Sequence, residues 1–313
     1  MAQAALDAAT NALRIREQPD FLSKIVIKPD GSKVTPGDKE GEEIIRKKLA
    51  VTLPQAGFRG EEGTQRAVAT GGKRWVVDPI DGTGNFIRGA DKANNPDPGP
   101  RTWAVSVALK GPGESGLKED EKSVLAAIFV PHPDASSQQV NGTMYMASPD
   151  MPTVATPVEN GVLQSGKAYF PGAKPGNAST FSCGGFPPGR VDPTGELIAA
   201  AGSDSTEMGS FCASAINVLE GNGACLNGVN YEWDSAAAYL LLQQAGRSVI
   251  EYANGVDAKG EPQFATLAAA TPTQFKALND EYVQHTSERV LRQANMPSAQ
   301  RFSSLASIVG AAR

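Results

Sequence analysis

Two carboxylates and a hydroxyl follow a short apolar run in the first third of the chain. Asp78, Asp81 and Thr83 come directly after residues 75–77, Trp-Val-Val, which predict a short buried strand. Pro79 has no N–H group, so we expect the chain to leave the strand there. Two aspartates on one bend repel each other unless a cation lies between them. Mg²⁺ prefers such carboxylate and carbonyl oxygens, so the bend predicts a metal site. The alternative is an Asx-turn that closes a surface loop.

Four other polar positions each have a simple structural interpretation. Glu61 stands in a Glu-Glu pair, and such pairs are usually solvated. Asp38 precedes a helical pattern and Asp234 opens another, where an aspartate can serve as an N-cap. Ser210 precedes a third helical pattern and can cap it in the same way. Local sequence alone therefore leaves open whether Glu61 is a solvated surface residue or part of a site, and whether the other three residues are caps or take part in the chemistry.

Composition narrows the class of protein. The 313 residues are enough for one large domain or two closely associated ones, and 40% of them are hydrophobic. Because the net charge is −5, we expect no nucleic-acid partner. Because no apolar run is long enough to span a bilayer, we expect no membrane-spanning segment. Three spaced cysteines and two histidines form neither a disulfide framework nor a zinc motif. The chain begins without a secretion signal, so we expect a cytoplasmic protein whose chemistry uses carboxylates and hydroxyls.

The sequence also predicts the helices, strands and turns that must position these polar residues. A hairpin turn is predicted at Asp30-Gly31, and two turn-rich insertions at 90–101 and 111–122. Helices are predicted over residues 3–17, from Asp38 to about 51, 192–201, 211–221, 235–246 and in the tail 272–313. Strands are predicted over residues 102–110, 123–131, 143–146, 247–252 and 264–270.

Three motifs in order resemble the inositol monophosphatase family. They are the Glu-Glu pair at 61–62, Asp-Pro-Ile-Asp-Gly-Thr at 78–83 and Trp-Asp-Ser-Ala-Ala at 233–237. The resemblance runs from about Lys28 to Gly246 and implies a lithium-sensitive, Mg²⁺-dependent phosphatase of a small phosphorylated metabolite. It also implies an α/β layered sandwich (αβαβα). An α+β N-terminal half would span residues 1–150, and an α/β C-terminal half residues 151–313, with the site between them. A homodimer is left open.

The resemblance also implies which residues act. Two or three Mg²⁺ ions would be held by Glu61, Asp78, the Ile80 carbonyl, Asp81 and Asp234. Asp38 would orient Thr83, which orients the attacking water. Substrate contacts would come from Asp81, Gly82, Thr83, Gly209, Ser210 and Asn227. Metals about 4 Å apart can generate a hydroxide and stabilise the departing alkoxide, so we expect the Asp81 and Asp234 carboxylates within about 8 Å of each other.

The substrate itself is left open by two departures from the family. Asn227 stands where the inositol phosphatases have a glutamate that binds ring hydroxyls, and Phe211 stands where they have a small residue. Histidinol phosphate, a sugar phosphate, fructose 1,6-bisphosphate and 3'-phosphoadenosine 5'-phosphate are the alternatives within the superfamily. A non-catalytic binding protein that keeps the fold is the alternative of another class.

Overall fold

A computed structural model describes residues 1–29, 31–66, 72–90, 102–112, 121–173, 176–184, 205–206, 208–257 and 259–294. The helix predicted over 192–201, most of both predicted insertions and the end of the tail lie outside these residues.

The described helices include five predicted ones, with ends shifted by a few residues, and one over Thr83–Ala90 that the sequence did not predict. They are α1 (Ala2–Arg16), α2 (Pro36–Thr52), α3 (Thr83–Ala90), α4 (Phe211–Leu219), α5 (Glu232–Gln244) and α6 (Pro272–Ala294). Short 3₁₀ turns cover Phe21–Lys24, Ser165–Lys167 and Pro171–Ala173. None of the helices that the structure describes is both long and apolar enough to cross a bilayer.

The described strands are more numerous than the sequence predicts. Some of the additional strands are only two residues long, and three longer ones show no clear alternation in sequence: Met151–Glu159, Asn177–Gly184 and Asn222–Asn230. The described strands are β1 (Val26–Ile27), β2 (Lys33–Val34), β3 (Gly57–Gly60), β4 (Gln65–Arg66), β5 (Arg74–Asp81), β6 (Ala104–Gly111), β7 (Lys122–Pro131), β8 (Gly142–Ser148), β9 (Met151–Glu159), β10 (Val162–Leu163), β11 (Asn177–Gly184), β12 (Ser205–Thr206), β13 (Asn222–Asn230), β14 (Ser248–Val256) and β15 (Pro262–Ala269).

The chain forms two compact units that are not continuous segments. The first contains Met1–Ala173, Gly209–Ala213 and Trp233–Ala245, and the second contains Lys174–Met208, Ser214–Glu232 and Gly246–Arg313. The first unit therefore includes Asp234 although this residue comes late in the sequence. The α+β and α/β halves expected on either side of residue 150 stay a prediction.

The first unit is built on an eight-stranded sheet with helices on both faces. The strand order is β10-β9-β8-β7-β6-β5-β3-β4, and β1 and β2 form the predicted hairpin beside it. Along β6, Val105 and Val107 join the apolar cluster formed with α1 and α2. Ser106, between them, points to the opposite face because strand side chains alternate, and it donates to the Trp233 carbonyl of α5. The sheet thus lies between α1 and α2 on one side and α5 on the other.

Two glycines of helix α2 face strand β5 and leave little space for a side chain there. A Cβ on Gly37 would lie 3.2 Å from Ile80 Cδ1, and a Cβ on Gly41 would lie 3.1 Å from Pro79 Cβ. The two glycines are four residues apart and so lie on one helix face. This close packing brings the polar residues of the same face, Asp38 among them, against strand β5.

Strand β5 carries both aspartates of the predicted bend. We expected the chain to leave the strand at Pro79. This is wrong, because the strand continues to Asp81. Asp78 pairs with Ser106 and Asp81 with Ala104, so two residues of β5 oppose one residue of β6. This is a β-bulge, in which the missing N–H of Pro79 removes no regular ladder hydrogen bond.

The second unit is a five-stranded mixed sheet with a helix packed on it. Its order is β12-β11-β13-β15-β14, with β11 parallel to both of its neighbours and the other pairs antiparallel. Leu278 of α6 packs with Phe181, Leu226 and Leu267 from three strands. Asn227 lies in this unit, in β13.

Candidate metal centre

Three aspartates from different parts of the chain meet in the first unit. Asp78, Asp81 and Asp234 each place a carboxylate oxygen so that the three oxygens lie within 4.8 Å of one another. This meets the distance expected between Asp81 and Asp234. Asp234 is the third residue of α5 rather than its N-cap, so the capping alternative is wrong at this position.

Burial and mutual repulsion disfavour the ionised form of these aspartates unless a positive charge lies nearby. Asp78 is 2% exposed, and burial together with the charges of Glu61, Asp81 and Asp234 raises its pKa well above the usual range. Burial also raises the pKa of Asp81, although donors around it oppose the shift. Oxygen ligands with concentrated negative charge are what a hard divalent cation needs. The residues present therefore fit the metal that the resemblance implies.

The predicted Asx-turn is present together with the carboxylate cluster. Asp78 Oδ1 accepts the N–H of Ile80 at 2.9 Å, which is the hydrogen bond of such a turn. The turn does not close a surface loop, however, because Asp78 and Ile80 are both buried. The two interpretations of Asp78 are thus compatible, since a carboxylate has room for several partners.

A second acidic group lies around the Glu-Glu pair. Ligand oxygens of Asp38, Glu61 and Glu62 lie within 4.8 Å of one another. The side chains of Glu61 and Glu62 are only 19% and 7% exposed, so the interpretation as a solvated pair is wrong. Lys28 Nζ lies 3.3 Å from Glu61 and 2.9 Å from Glu62. Burial raises the pKa of Glu61 to about 7.

Asp38 takes part in the capping of α2 and is also a partner of Thr83. It is not the N-cap that the sequence suggested, because Thr35 holds that position and Asp38 is the third residue of the helix. Its Oδ2 accepts the N–H and the hydroxyl of Thr35 at 2.7 and 2.6 Å, which completes a capping box at the start of α2. Its Oδ1 lies 3.1 Å from Thr83 Oγ1, as the resemblance implied. Burial raises the pKa of Asp38 to about 6, while the donors from Thr35 and Thr83 lower it.

Asp81 accepts hydrogen bonds from the start of α4. Its Oδ2 accepts from the Ser210 hydroxyl at 2.5 Å and from the Cys212 N–H at 2.6 Å, and its Oδ1 accepts from the Phe211 N–H at 3.3 Å. Ser210 also caps the helix, because its oxygen accepts the N–H of Ala213 at 3.0 Å. A carboxylate at a helix N-terminus is electrostatically favourable. These bonds fix the orientation of the Asp81 carboxylate.

Two glycines allow the Asp81 turn and the start of α4 to come together. Gly82 has φ +87°, and a Cβ there would lie 2.8 Å from Ser210 Cβ. Gly209 has φ +62°, and its Cβ would lie 2.8 Å from Asn85 Oδ1. Both positions therefore need the left-handed backbone and the space that glycine provides. The predicted substrate role of Gly82, Gly209 and Ser210 stays a prediction.

Asn227 is the predicted site residue that belongs to the second unit. Its side-chain amide donates to Asn230 Oδ1, and Asn230 in turn donates to Thr266. The role of Asn227 in substrate binding stays a prediction.

Two further residues of the centre, Lys28 and Glu42, are assigned no role by the sequence patterns. Glu42 is 1% exposed, and its carboxylate accepts the N–H groups of Glu62 and Thr64. The available signal was spacing, since Glu42 follows Asp38 by four residues and therefore lies on the same helix face.

The cysteine beside the aspartates is not a nucleophile. Burial and the neighbouring carboxylates raise the pKa of the Cys212 thiol well above its usual range, so the thiol stays protonated. Cys212 and Cys225 are both buried and free of disulfides.

The chain is similar in sequence to known proteins. The sequence model of the inositol monophosphatase family matches residues 1–291. An inositol-1-monophosphatase of Rhizobium meliloti (strain 1021) is 37% identical over 91 residues, 29% of this chain and 30% of the relative. A histidinol-phosphatase of Streptomyces coelicolor (strain ATCC BAA-471 / A3(2) / M145) is 38% identical over 95 residues, 30% of this chain and 31% of the relative. The chain thus aligns with about a third of the length of these two relatives.

A solved structure of Mycobacterium tuberculosis SuhB has a similar fold. The TM-score is 0.60 with 22% sequence identity, and the match covers 90% of this chain and 93% of the other. This likeness confirms the predicted fold class, an α/β layered sandwich.

Proposed function

Because the chain belongs to the inositol monophosphatase family, we propose that it is a Mg²⁺-dependent phosphatase of a small phosphorylated metabolite. The observation that carries the proposal is the meeting of Asp78, Asp81 and Asp234, whose oxygens lie within 4.8 Å of one another. Three carboxylates at this spacing, with Glu61 nearby, offer the negative charge and the oxygen ligands that several hard cations need.

The metal ligands in this proposal are those that the resemblance named. Asp78, Asp81 and Asp234 supply one group of oxygens, and Glu61 and the carbonyl of Ile80 supply others. Bound Mg²⁺ would lower the pKa of a water molecule and stabilise negative charge on the phosphoryl and leaving oxygens. The residues of this chain hold the cations, orient the water and bind the phosphate.

Thr83 and Asp38 orient the water in this proposal. The Thr83 hydroxyl has one proton and two acceptors at 3.1 Å, Asp38 Oδ1 and the Ile80 carbonyl. When the hydroxyl donates its proton to Asp38, its oxygen can still accept a hydrogen bond from water. The N–H groups of Gly82 and Thr83, at the start of α3, would bind a phosphate oxygen, whereas the N–H of Asn85 already donates to the Gly82 carbonyl.

The substrate class within this proposal is a phosphate monoester of a polyol, a sugar or histidinol. The relatives named inositol-1-monophosphatase and histidinol-phosphatase have nearly the same sequence identity to this chain, 37% and 38%. Their names therefore support both substrates equally. Asn227 in place of the family's glutamate argues against inositol phosphate, because an amide binds ring hydroxyls less strongly than a carboxylate does.

A panel of phosphate esters tests the proposal. Phosphate release is measured from inositol 1-phosphate, histidinol phosphate, fructose 1,6-bisphosphate and 3'-phosphoadenosine 5'-phosphate, with Mg²⁺, with EDTA and with Mg²⁺ plus Li⁺. We expect turnover of at least one ester with Mg²⁺, none in EDTA, and inhibition by Li⁺. Turnover that persists in EDTA would contradict the metal mechanism. No release from any ester would favour a non-catalytic binding protein.

A further inference from the structure

The turn that carries Glu61 is held by every one of its backbone N–H groups. Two of them, those of Glu62 and Thr64, donate to the carboxylate of Glu42 at 2.7 and 3.0 Å. The other three donate to backbone carbonyls: Gly60 to Thr64, Glu61 to Val77 and Gly63 to Gly60. Glu42 is therefore the side chain that completes the hydrogen bonding of the turn.

Both carboxylate oxygens of Glu42 are used by the turn. Oε2 accepts from Glu62 and Oε1 accepts from Thr64, and the residue is 1% exposed. Among the described residues, Glu42 belongs to neither of the two acidic groups whose ligand oxygens lie within 4.8 Å of one another. Its role is thus different from that of Glu61, although both are glutamates of the same centre.

The turn also packs directly against this carboxylate. A Cβ on Gly60 would lie 2.0 Å from Glu42 Oε2 and 2.2 Å from Cδ, so the two cannot coexist without movement. Gly60 immediately precedes Glu61, and the N–H of Glu61 donates to Val77, next to Asp78. The position of the Glu61 backbone is therefore set by strand β5 on one side and by Glu42 on the other.

Helix α2 links the two ends of the centre through this arrangement. Asp38 and Glu42 are four residues apart on the buried face of α2. Asp38 contacts Thr83, and Glu42 contacts the turn of Glu61. One helix face thus sets the distance between the hydroxyl that orients water and a predicted metal ligand.

We propose that Glu42 is a positioning residue that holds the Glu61 turn in the conformation required for Mg²⁺ binding. The inference rests on the proposed function only in taking Glu61 as a Mg²⁺ ligand. It requires that loss of the Glu42 carboxylate weaken Mg²⁺ binding although Glu42 is not one of the proposed ligands. Residues that orient metal ligands typically change affinity by about 10- to 100-fold when they are replaced.

Glu42→Gln is the direct test, because the amide keeps the shape of the side chain but presents an NH₂ group to one of the two N–H donors. Mg²⁺ binding to the metal-free protein is measured by calorimetry, at a temperature where circular dichroism shows each variant to be folded. We expect the Mg²⁺ affinity of Glu42→Gln to fall by about tenfold or more. Hydrogen exchange in the peptide covering residues 60–64 should be faster than in the parent.

Glu43→Gln is the matched control on the same helix. Glu43 is partly exposed and pairs with Arg46 and Lys47, so its replacement should leave Mg²⁺ affinity and exchange in 60–64 unchanged. A loss of thermal stability alone, with parental affinity for Mg²⁺, is what a merely structural role of Glu42 predicts. That result in Glu42→Gln would overturn the inference.

Gly60→Ala gives an independent test if Glu42→Gln does not fold. The added methyl group displaces the turn while the Glu42 carboxylate is still present, so Mg²⁺ affinity should again fall about tenfold or more. In a Glu42→Ala background the methyl group has space, and Gly60→Ala should cause little further loss. Equal losses caused by Gly60→Ala in both backgrounds would contradict the direct contact that we infer.

Failure of this inference can be distinguished from failure of the proposed function. A parent protein that binds Mg²⁺ but releases no phosphate would overturn the proposed activity, while the Glu42 effect on affinity would still be measured. A parent that is an active phosphatase, with Glu42→Gln binding Mg²⁺ equally well, would overturn only the inference. A parent that binds no Mg²⁺ would overturn both.

Discussion

The hydroxyl of Thr83 lies 3.1 Å from Oδ1 of Asp38, although 45 residues separate them in sequence. The other oxygen of the same carboxylate closes the capping box of α2 with Thr35. Asp38 is thus held by the N-cap residue of its own helix, and Thr83 is held by Asp38. The pair is thus distinct from the residues that we propose as metal ligands, and its proposed role is to orient water.

Replacement of Thr83 should lower turnover without weakening metal binding. Thr83→Ala removes the hydroxyl and leaves every predicted metal ligand in place, so kcat should fall by roughly 10²-fold. The Mg²⁺ concentration for half-maximal rate should change little, because the loss is in the transition state. Thr83→Ser is the control and should keep most of the rate. Parental kcat in Thr83→Ala, measured across a Mg²⁺ titration, would show that the Asp38–Thr83 pair does not orient the water.

Loss of the Thr35 cap should affect stability more than catalysis. Thr35→Ala removes the hydroxyl that accepts the Gly37 N–H and donates to Asp38. The free energy of unfolding should fall by about 1 kcal/mol, as is usual for an N-cap. The Thr35 N–H still donates to Asp38, so kcat should stay within about tenfold of the parent, far less affected than by a lost catalytic group. Chemical denaturation and steady-state kinetics on the same preparation compare the two effects, and Thr35→Ser should restore stability.

Asp234→Asn should separate metal binding from folding. It removes one of three carboxylate charges within 4.8 Å, so Mg²⁺ affinity should fall by at least about tenfold. In the parent, free Mg²⁺ at about a hundred times Kd should stabilise the protein by about 2.7 kcal/mol relative to EDTA. The corresponding rise in Tm should be much smaller in Asp234→Asn at the same Mg²⁺ concentration. An equal rise in both proteins would argue against Asp234 as a metal ligand, and Glu43→Gln serves as the charge-matched control.

Alanine at Gly82 should be far more damaging than alanine at Gly31. Both glycines have a positive φ, +87° and +85°, so both substitutions carry a similar backbone strain of about 1 kcal/mol. A Cβ at Gly82 would also lie 2.8 Å from Ser210 Cβ, whereas a Cβ at Gly31 would meet nothing within 4 Å. Gly82→Ala should therefore lose more unfolding free energy than Gly31→Ala, by about 1–3 kcal/mol. Similar losses of unfolding free energy in both variants would show that Ser210 moves away from the added methyl group at little cost.

The sequence by itself determined the elements and the chemical character of the centre. Periodicity placed α1, α2, α5 and the late strands within a few residues, because long amphipathic patterns reflect burial directly. The motifs at 61–62, 78–83 and 233–237 indicated the family and the acidic residues. The local capping signal was also correct at Ser210, because a cap depends only on neighbouring residues. At Asp38 it was displaced, because Thr35 is the N-cap of α2 and Asp38, the third helical residue, completes the capping box.

Only the tertiary structure decided which carboxylates meet and in what orientation. Asp78 and Asp81 are three residues apart, so a regular strand would direct them to opposite faces. The bulge opposite Val105 inserts one residue and restores the common side, and this depends on the pairing of β5 with β6 rather than on any local signal. Glu42 and Glu43 are likewise adjacent glutamates in sequence, yet one is buried against a turn and the other pairs with Arg46 near the surface. The packing of α2 against β5 makes that difference, because it places one side of the helix against backbone N–H groups and leaves the other in water.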